Sequence, residues 1–176
     1  MSSTHEISRS PGDAVHGKLL MVAVDGSQQS NWATEVAAPL AKALGASVVL
    51  VHVMDLSAYG ASEVAFGEAE LRVELRRRAD EVFAGALALF PEGVAVQRLL
   101  REGKPGKEIV ASAAEWQADL VVMGTHGRGR LATFLLGSTA EAVIRGARCP
   151  VLTVAHDPHG PASRAGGPVT LAPVAL

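Results

Sequence analysis

Five short apolar runs punctuate the chain: "KLLMVAVD" at 18–25, "ASVVLVHV" at 46–53, "VAVQRLL" at 94–100, "ADLVVMG" at 118–124 and "PVLTVA" at 150–155. They are rich in β-branched residues and mostly lack polar alternation, the pattern of strands covered on both faces. Between them the period changes to that of a helix. Ala33, Val36, Ala37, Leu40, Ala41 and Leu44 fall on one helical stripe, and Pro39 is expected to kink or split it. Leu71, Leu75, Ala79, Val82, Phe83, Ala86 and Phe90 form a longer stripe, while "RRRADE" turns its charges to solvent. Pro105 suits the first position of a third helix with Ile109, Val110 and Ala113 inward. Ser138 followed three residues later by Glu141 predicts a capping box at the start of a fourth.

Strands that alternate with helices require right-handed crossovers and a parallel sheet. The predicted fold is therefore α/β: a doubly wound, five-stranded parallel sheet with helices on both faces, Rossmann-like. Sheets of this kind bind ligands beyond the carboxyl ends of strands where the strand order reverses. The loops after strands one and four, "DGSQQS" and "GTHGRGR", flank that crevice.

Composition narrows the picture. A chain of 176 residues, 48% hydrophobic and 19% charged, suits one domain. We assign it to residues 17–156, with a flexible leader at 1–16 and a flexible Pro/Gly/Ala-rich tail at 157–176. A net charge of −2 supplies no general field for nucleic acid. The single Cys149 cannot form an intramolecular disulfide, and no apolar stretch approaches the roughly 20 residues that span a bilayer. The expectation is a cytoplasmic protein with neither nucleic acid nor membrane as partner. His156, Asp157 and His159 sit in the tail without a fourth organised ligand, so no protein metal site is assigned.

The stretch "GTHGRGRLATFLLGS" at 124–138 carries the candidate chemistry. Glycines let backbone amides approach a phosphate closely, and the first amides of the following helix, with its dipole, favour an anion. Ser138 and Thr139 add hydroxyl donors. The spacing is neither a Walker loop nor the dinucleotide G-x-G-x-x-G, and "GKPGKEI" at 103–109 fails the Walker spacing as well.

Gly124, two residues, Gly127, nine residues, Gly137 and Ser138 reproduce the G-x2-G-x9-G-[ST] pattern of nucleotide-binding universal stress proteins, and the chain resembles that family over nearly the whole domain. "VAVDGSQQS", "LVHV", "GKP" and "CPVLTV" resemble the family's first strand and loop, second strand, third-helix start and last strand. The resemblance implies a strand order of 3-2-1-4-5 and ATP held across strands one and four. It places Asp25 at the ribose, the Val53 backbone near adenine, Ala23 beside the base and Met123 as a wall. Gly124, Gly127, Gly137, Ser138 and Thr139 then surround the phosphates, with Thr125 and Arg128 in the same cofactor-binding loop and Mg²⁺ carried by the phosphates.

Several of these residues admit a second role. Asp25 suits a ribose, since a carboxylate accepts from hydroxyls, and equally an Asx-type cap of the following turn; both can hold together. Arg128 and Arg130 either neutralise a triphosphate or stand as solvated side chains. His126 pins the loop through backbone bonds, or serves as a phosphate donor or acid catalyst. His52 reads as a satisfied core histidine, and Cys149 as a small buried hydrophobe. No water-orienting residue for phosphoryl transfer is evident, which favours an ATP-binding regulatory module over its alternatives: a slow ATP hydrolase, or a dimeric scaffold that needs no nucleotide. The last strand is expected at the sheet edge, where an apolar strand invites pairing into an antiparallel homodimer, as the resemblance also implies.

Overall fold

β1 (Leu19–Ala23) is buried along its whole length, because it lies between two parallel neighbours. It pairs with β2 (Ser47–Met54) in the register Leu20 to Val48, and with β4 (Leu120–Gly124) in the register Leu20 to Leu120. β3 (Val96–Glu102) pairs outside β2 and β5 (Val151–Val154) outside β4, both parallel. The five parallel strands thus run 3-2-1-4-5. In this computed structural model the described residues are 17–58, 67–125, 136–155 and the strand 170–172.

The two-residue period of the strands sorts the core into two halves. Leu20, Val22, Val48, Leu50 and Val122 point to one face, against Ala33, Ala37 and Ala41 of α1 (Gln28–Leu44) and Ala79, Phe83 and Ala86 of α2 (Glu68–Leu87). Met21, Ala23, Val49, Val51, Val121 and Met123 point to the other, against Ile109 and Ala113 of α3 (Pro105–Glu115) and Ala140 and Val143 of α4 (Ser138–Gly146). Small alanines on α1 let it approach the sheet closely. Asp119 closes the amino end of β1, its Oδ2 accepting from the Leu19 amide at 2.7 Å.

Three expectations are corrected. Pro39 does not split α1, which runs unbroken from Gln28 to Leu44; the proline is exposed, so its missing amide bond falls on the solvent side of the helix. The capping box does not form. Gly137 is the N-cap of α4 and Ser138 is already its first helical residue, while Glu141 pairs with Arg145 at 2.7 Å. The helix starts one residue early, which turns Ser138 from a cap into a group at the helix mouth. Finally, β5 is not the outermost strand: β6 (Thr170–Ala172) pairs with it antiparallel, in a segment whose Pro/Gly/Ala composition carries no strand pattern. Three residues suffice because the open edge of β5 supplies the template. The leader at 1–16 and the rest of the tail lie outside the described residues.

Candidate functional site

The crevice follows from where strand pairing stops. The β1–β4 ladder ends at Val22 and Val122, whereas β1 stays joined to β2 through Ala23 and on to Val24, whose amide donates to the Val51 carbonyl at 2.9 Å. The chain therefore parts between β1 and β4, where the strand order reverses.

A cavity of about 620 Å³ occupies this gap, a size within the range of small-molecule sites. Strand ends wall one side of it with Ala23, Val51, Val53, Met54 and Met123. Thr125, directly after β4, and Gly137, Ser138 and Thr139, at the start of α4, also line it. The first intrahelical bond of α4 runs from the Glu141 amide to the Gly137 carbonyl at 2.9 Å. The amides of Ser138, Thr139 and Ala140 precede it and have no intrahelical acceptor, so this end offers a cluster of N–H dipoles to an anion.

Backbone bonds join the N-cap of α4 to the end of β4 and on to β5. The Thr125 amide donates to the Val154 carbonyl at 3.1 Å, and the Gly137 amide donates to the Thr125 carbonyl at 2.9 Å. Gly124 has a packing role of its own: a Cβ there would lie 2.8 Å from Gln29 Cβ and 2.9 Å from the Gln29 carbonyl carbon. Only a glycine lets the first turn of α1 cross this close to the end of β4.

Asp25 stands between these halves. Its Oδ1 accepts from the Ser27 amide at 2.9 Å, an Asx turn that leads into the Ser27 N-cap, whose own Oγ accepts from the Ser30 amide at 3.2 Å. The turn thus fixes the carboxylate at the cavity wall. His52 is buried, as a core histidine should be, with Nδ1 2.6 Å from the Val24 carbonyl and its ring edge-on to Phe83 at 6.1 Å. Cys149 is partly buried, and burial pushes its thiol above the usual value.

Nine expected site residues line the one cavity: Ala23, Asp25, Val53, Met123, Gly124, Thr125, Gly137, Ser138 and Thr139. Gly127, Arg128, His126 and Arg130 lie outside the described residues. Sequence reasoning missed Asp55, Ala58, Leu75, Arg78 and Ile109, and it read His52 as core alone although it also lines the cavity. Leu75 and Ile109 looked like ordinary core positions; their place on the wall depends on how α2 and α3 cross the strand ends. Arg78 donates to Glu74 at 2.8 Å, and hydrogen bonds from Arg77 and then Arg78 hold the Glu74 carboxyl down to about 2. At the rim, Lys104 donates to Ser57 at 2.9 Å, and Ser57 donates to Asp55 at 2.5 Å. This chain ties the 3-10 turn at Leu56–Ala58 to the start of α3.

Residues 18–155 match the model of the universal stress protein family. The chain belongs to that family. A universal stress protein of Methanocaldococcus jannaschii is 39% identical over 78% of this chain and 81% of its own length. Among solved structures, hypothetical protein MJ0577 aligns with a TM-score of 0.70 at 29% identity, over 81% of this chain and 98% of its own. A universal stress protein solved in complex with cAMP shares the fold at a TM-score of 0.58 and 24% identity, over 79% of this chain and 97% of its own. Within this universal stress protein, no helix among the described residues is long and apolar enough to cross a membrane.

Proposed function

We propose that this universal stress protein is a cytoplasmic regulatory module that binds ATP in the cavity between β1 and β4. The observation that carries the reading is the polarity of that cavity, with apolar strand ends and, at the α4 start, hydroxyls and amides that have no intrahelical acceptor. An adenine fits the first and a phosphate chain the second. Ala23, Val53 and Met123 would enclose the base, Asp25 would accept from ribose hydroxyls, and Thr125, Gly137, Ser138 and Thr139 would donate to phosphate oxygens. Gly127 and Arg128 would complete the cradle. Mg²⁺ would ride on the phosphates, as that cation usually does. That a protein of the same fold has been solved with cAMP supports an adenine nucleotide as the class of ligand.

Regulation rather than turnover is the role we assign. Phosphoryl transfer needs a placed water and a device that stabilises charge on the moving phosphoryl group, whereas donors at a helix start bind the ground state equally well. Ligand occupancy then shifts the population of loop conformations presented to a partner, and the homodimer we propose, through β5, is one surface such a shift can reach. Native mass spectrometry on protein purified without added nucleotide tests the binding. Retained adenine nucleotide, or its uptake on addition of Mg-ATP, supports the reading; no adduct at millimolar ATP rejects it in favour of a scaffold. Multiple-turnover phosphate release from contaminant-free protein would replace the regulatory module with an ATP hydrolase.

A further inference from the structure

The two edges of the sheet are protected by different means. β3 carries Arg98, Arg101 and Glu102, and ion pairs from Arg72 to Glu102 at 2.8 Å and from Arg101 to Glu115 tie it to α2 and α3. Charges of this kind discourage another strand from adding to an edge. β5, "VLTV", has no charge and no proline, and all four residues are buried. Its protection is β6, with Val151 opposite Ala172, Leu152 opposite Leu171 and Thr153 opposite Thr170.

The backbone shows which groups β6 covers. The Pro150 and Val154 carbonyls accept from the Val121 and Thr125 amides on the β4 side, at 3.0 and 3.1 Å. By the two-residue alternation of a strand, Val151 and Thr153 therefore turn their N–H and C=O groups outward, toward Ala172 and Thr170. A three-residue strand satisfies these groups with only a few ladder bonds, so a strand of comparable length can take its place.

We propose that Thr170–Ala172 is a removable cap that closes the β5 edge within one chain and competes there with the β5 of a second copy. The edge demonstrably accepts an antiparallel strand, which is the orientation that a two-fold axis imposes on two copies of one strand. With no charged side chain in "VLTV", self-pairing meets no like-charge repulsion. The inference rests on the β5 homodimer proposed above, and it adds that the tail holds that homodimer back.

The test compares the full chain with a full-length Thr170→Pro/Ala172→Pro variant, which lacks both N–H groups directed at β5, and with a Thr170→Val/Ala172→Val control that keeps them. Sedimentation velocity over a concentration series gives the association constant. Amide hydrogen exchange at Val151 and Thr153, at concentrations where the protein is monomeric, reports the cap. We expect the proline variant to dimerise at least tenfold more tightly than wild type and to exchange both amides faster as a monomer, while the valine control follows wild type. Exchange at Val151 and Thr153 unchanged by the prolines would overturn the cap. Faster exchange with every form monomeric at all concentrations would overturn the second copy as competitor, and with it the homodimer.

Discussion

The two ends of the cavity are made of different material. At the strand end, Ala23, Val51 and Met123 are core residues first, buried to 8%, 1% and 4% exposure, and wall the cavity only because the ladder between β1 and β4 stops short. At the helix end, Ser138 is exposed and Gly137 and Thr139 are half-buried, backbone bonds hold Gly137, and none of the three belongs to either half of the core. Changes at the strand end should therefore cost stability as well as binding. Changes at the helix end should cost binding alone.

The largest effect should come from Gly124→Val, at the junction. The new side chain must displace Gln29 and the first turn of α1, an overpacking that costs about 1 to 3 kcal/mol. Urea unfolding should show a lower midpoint at unchanged slope, and wild-type stability would mean that α1 is not held against β4 as described. Next in size is Asp25→Ala, which deletes the acceptor of the Ser27 amide and should cost about 1 kcal/mol, as loss of a helix-start acceptor typically does. It should weaken adenosine and ATP by the same factor in calorimetric titration, because both carry the ribose; a loss confined to ATP would move Asp25 to the phosphates.

At the helix end, Ser138→Ala/Thr139→Ala should leave the melting temperature within about 2 °C of wild type, since the α4 cap is Gly137 with no side-chain cap bond, neither residue belongs to the core, and such changes stay within about 0.5 kcal/mol. ATP should weaken by about tenfold, as expected for the loss of one to two hydrogen bonds to a charged group, with adenosine unaffected. Equal losses for the two ligands would erase the distinction between the ends. The smallest effect concerns Glu74, remote from the donors. Its carboxyl is lowered from 4.5 to about 2 by Arg77 and Arg78, so its contribution is present above pH 4.5 and is lost as pH falls toward 2. Solvent reaches Glu74 and both arginines and screens them, so the interaction contributes little. Glu74→Gln should lower stability slightly at neutral pH and converge on wild type as pH falls toward 2, which flattens the acid limb of a stability profile.

The strand end was the legible half. β-branched runs without alternation announce strands buried on both faces, strand alternation with helices requires a parallel sheet, and the family resemblance supplied the order in which "VAVDG" and "VVMGT" end side by side. The helix end was legible as residue types, through the glycine and hydroxyl spacing, but Ser138 read as a cap because the helix start shifts by one residue. Leu75, Arg78 and Ile109 were hidden as wall residues, since a helical stripe reveals which residues face the sheet and not how far along the strands they sit. β6 was hidden for a related reason. A three-residue strand has no period of its own and takes its conformation from the partner it pairs with.

The central claim, a base at the strand end and phosphates at the α4 start, is tested most directly by backbone amide NMR of the full chain during titration with Mg-ATP and, separately, adenosine. Both ligands should shift the amides of Ala23, Asp25, Val53 and Met123, and only Mg-ATP should add large shifts at Gly137, Ser138 and Thr139. Shifts that cluster away from the β1–β4 crevice, or adenosine moving the α4 start as strongly as Mg-ATP does, would contradict the account.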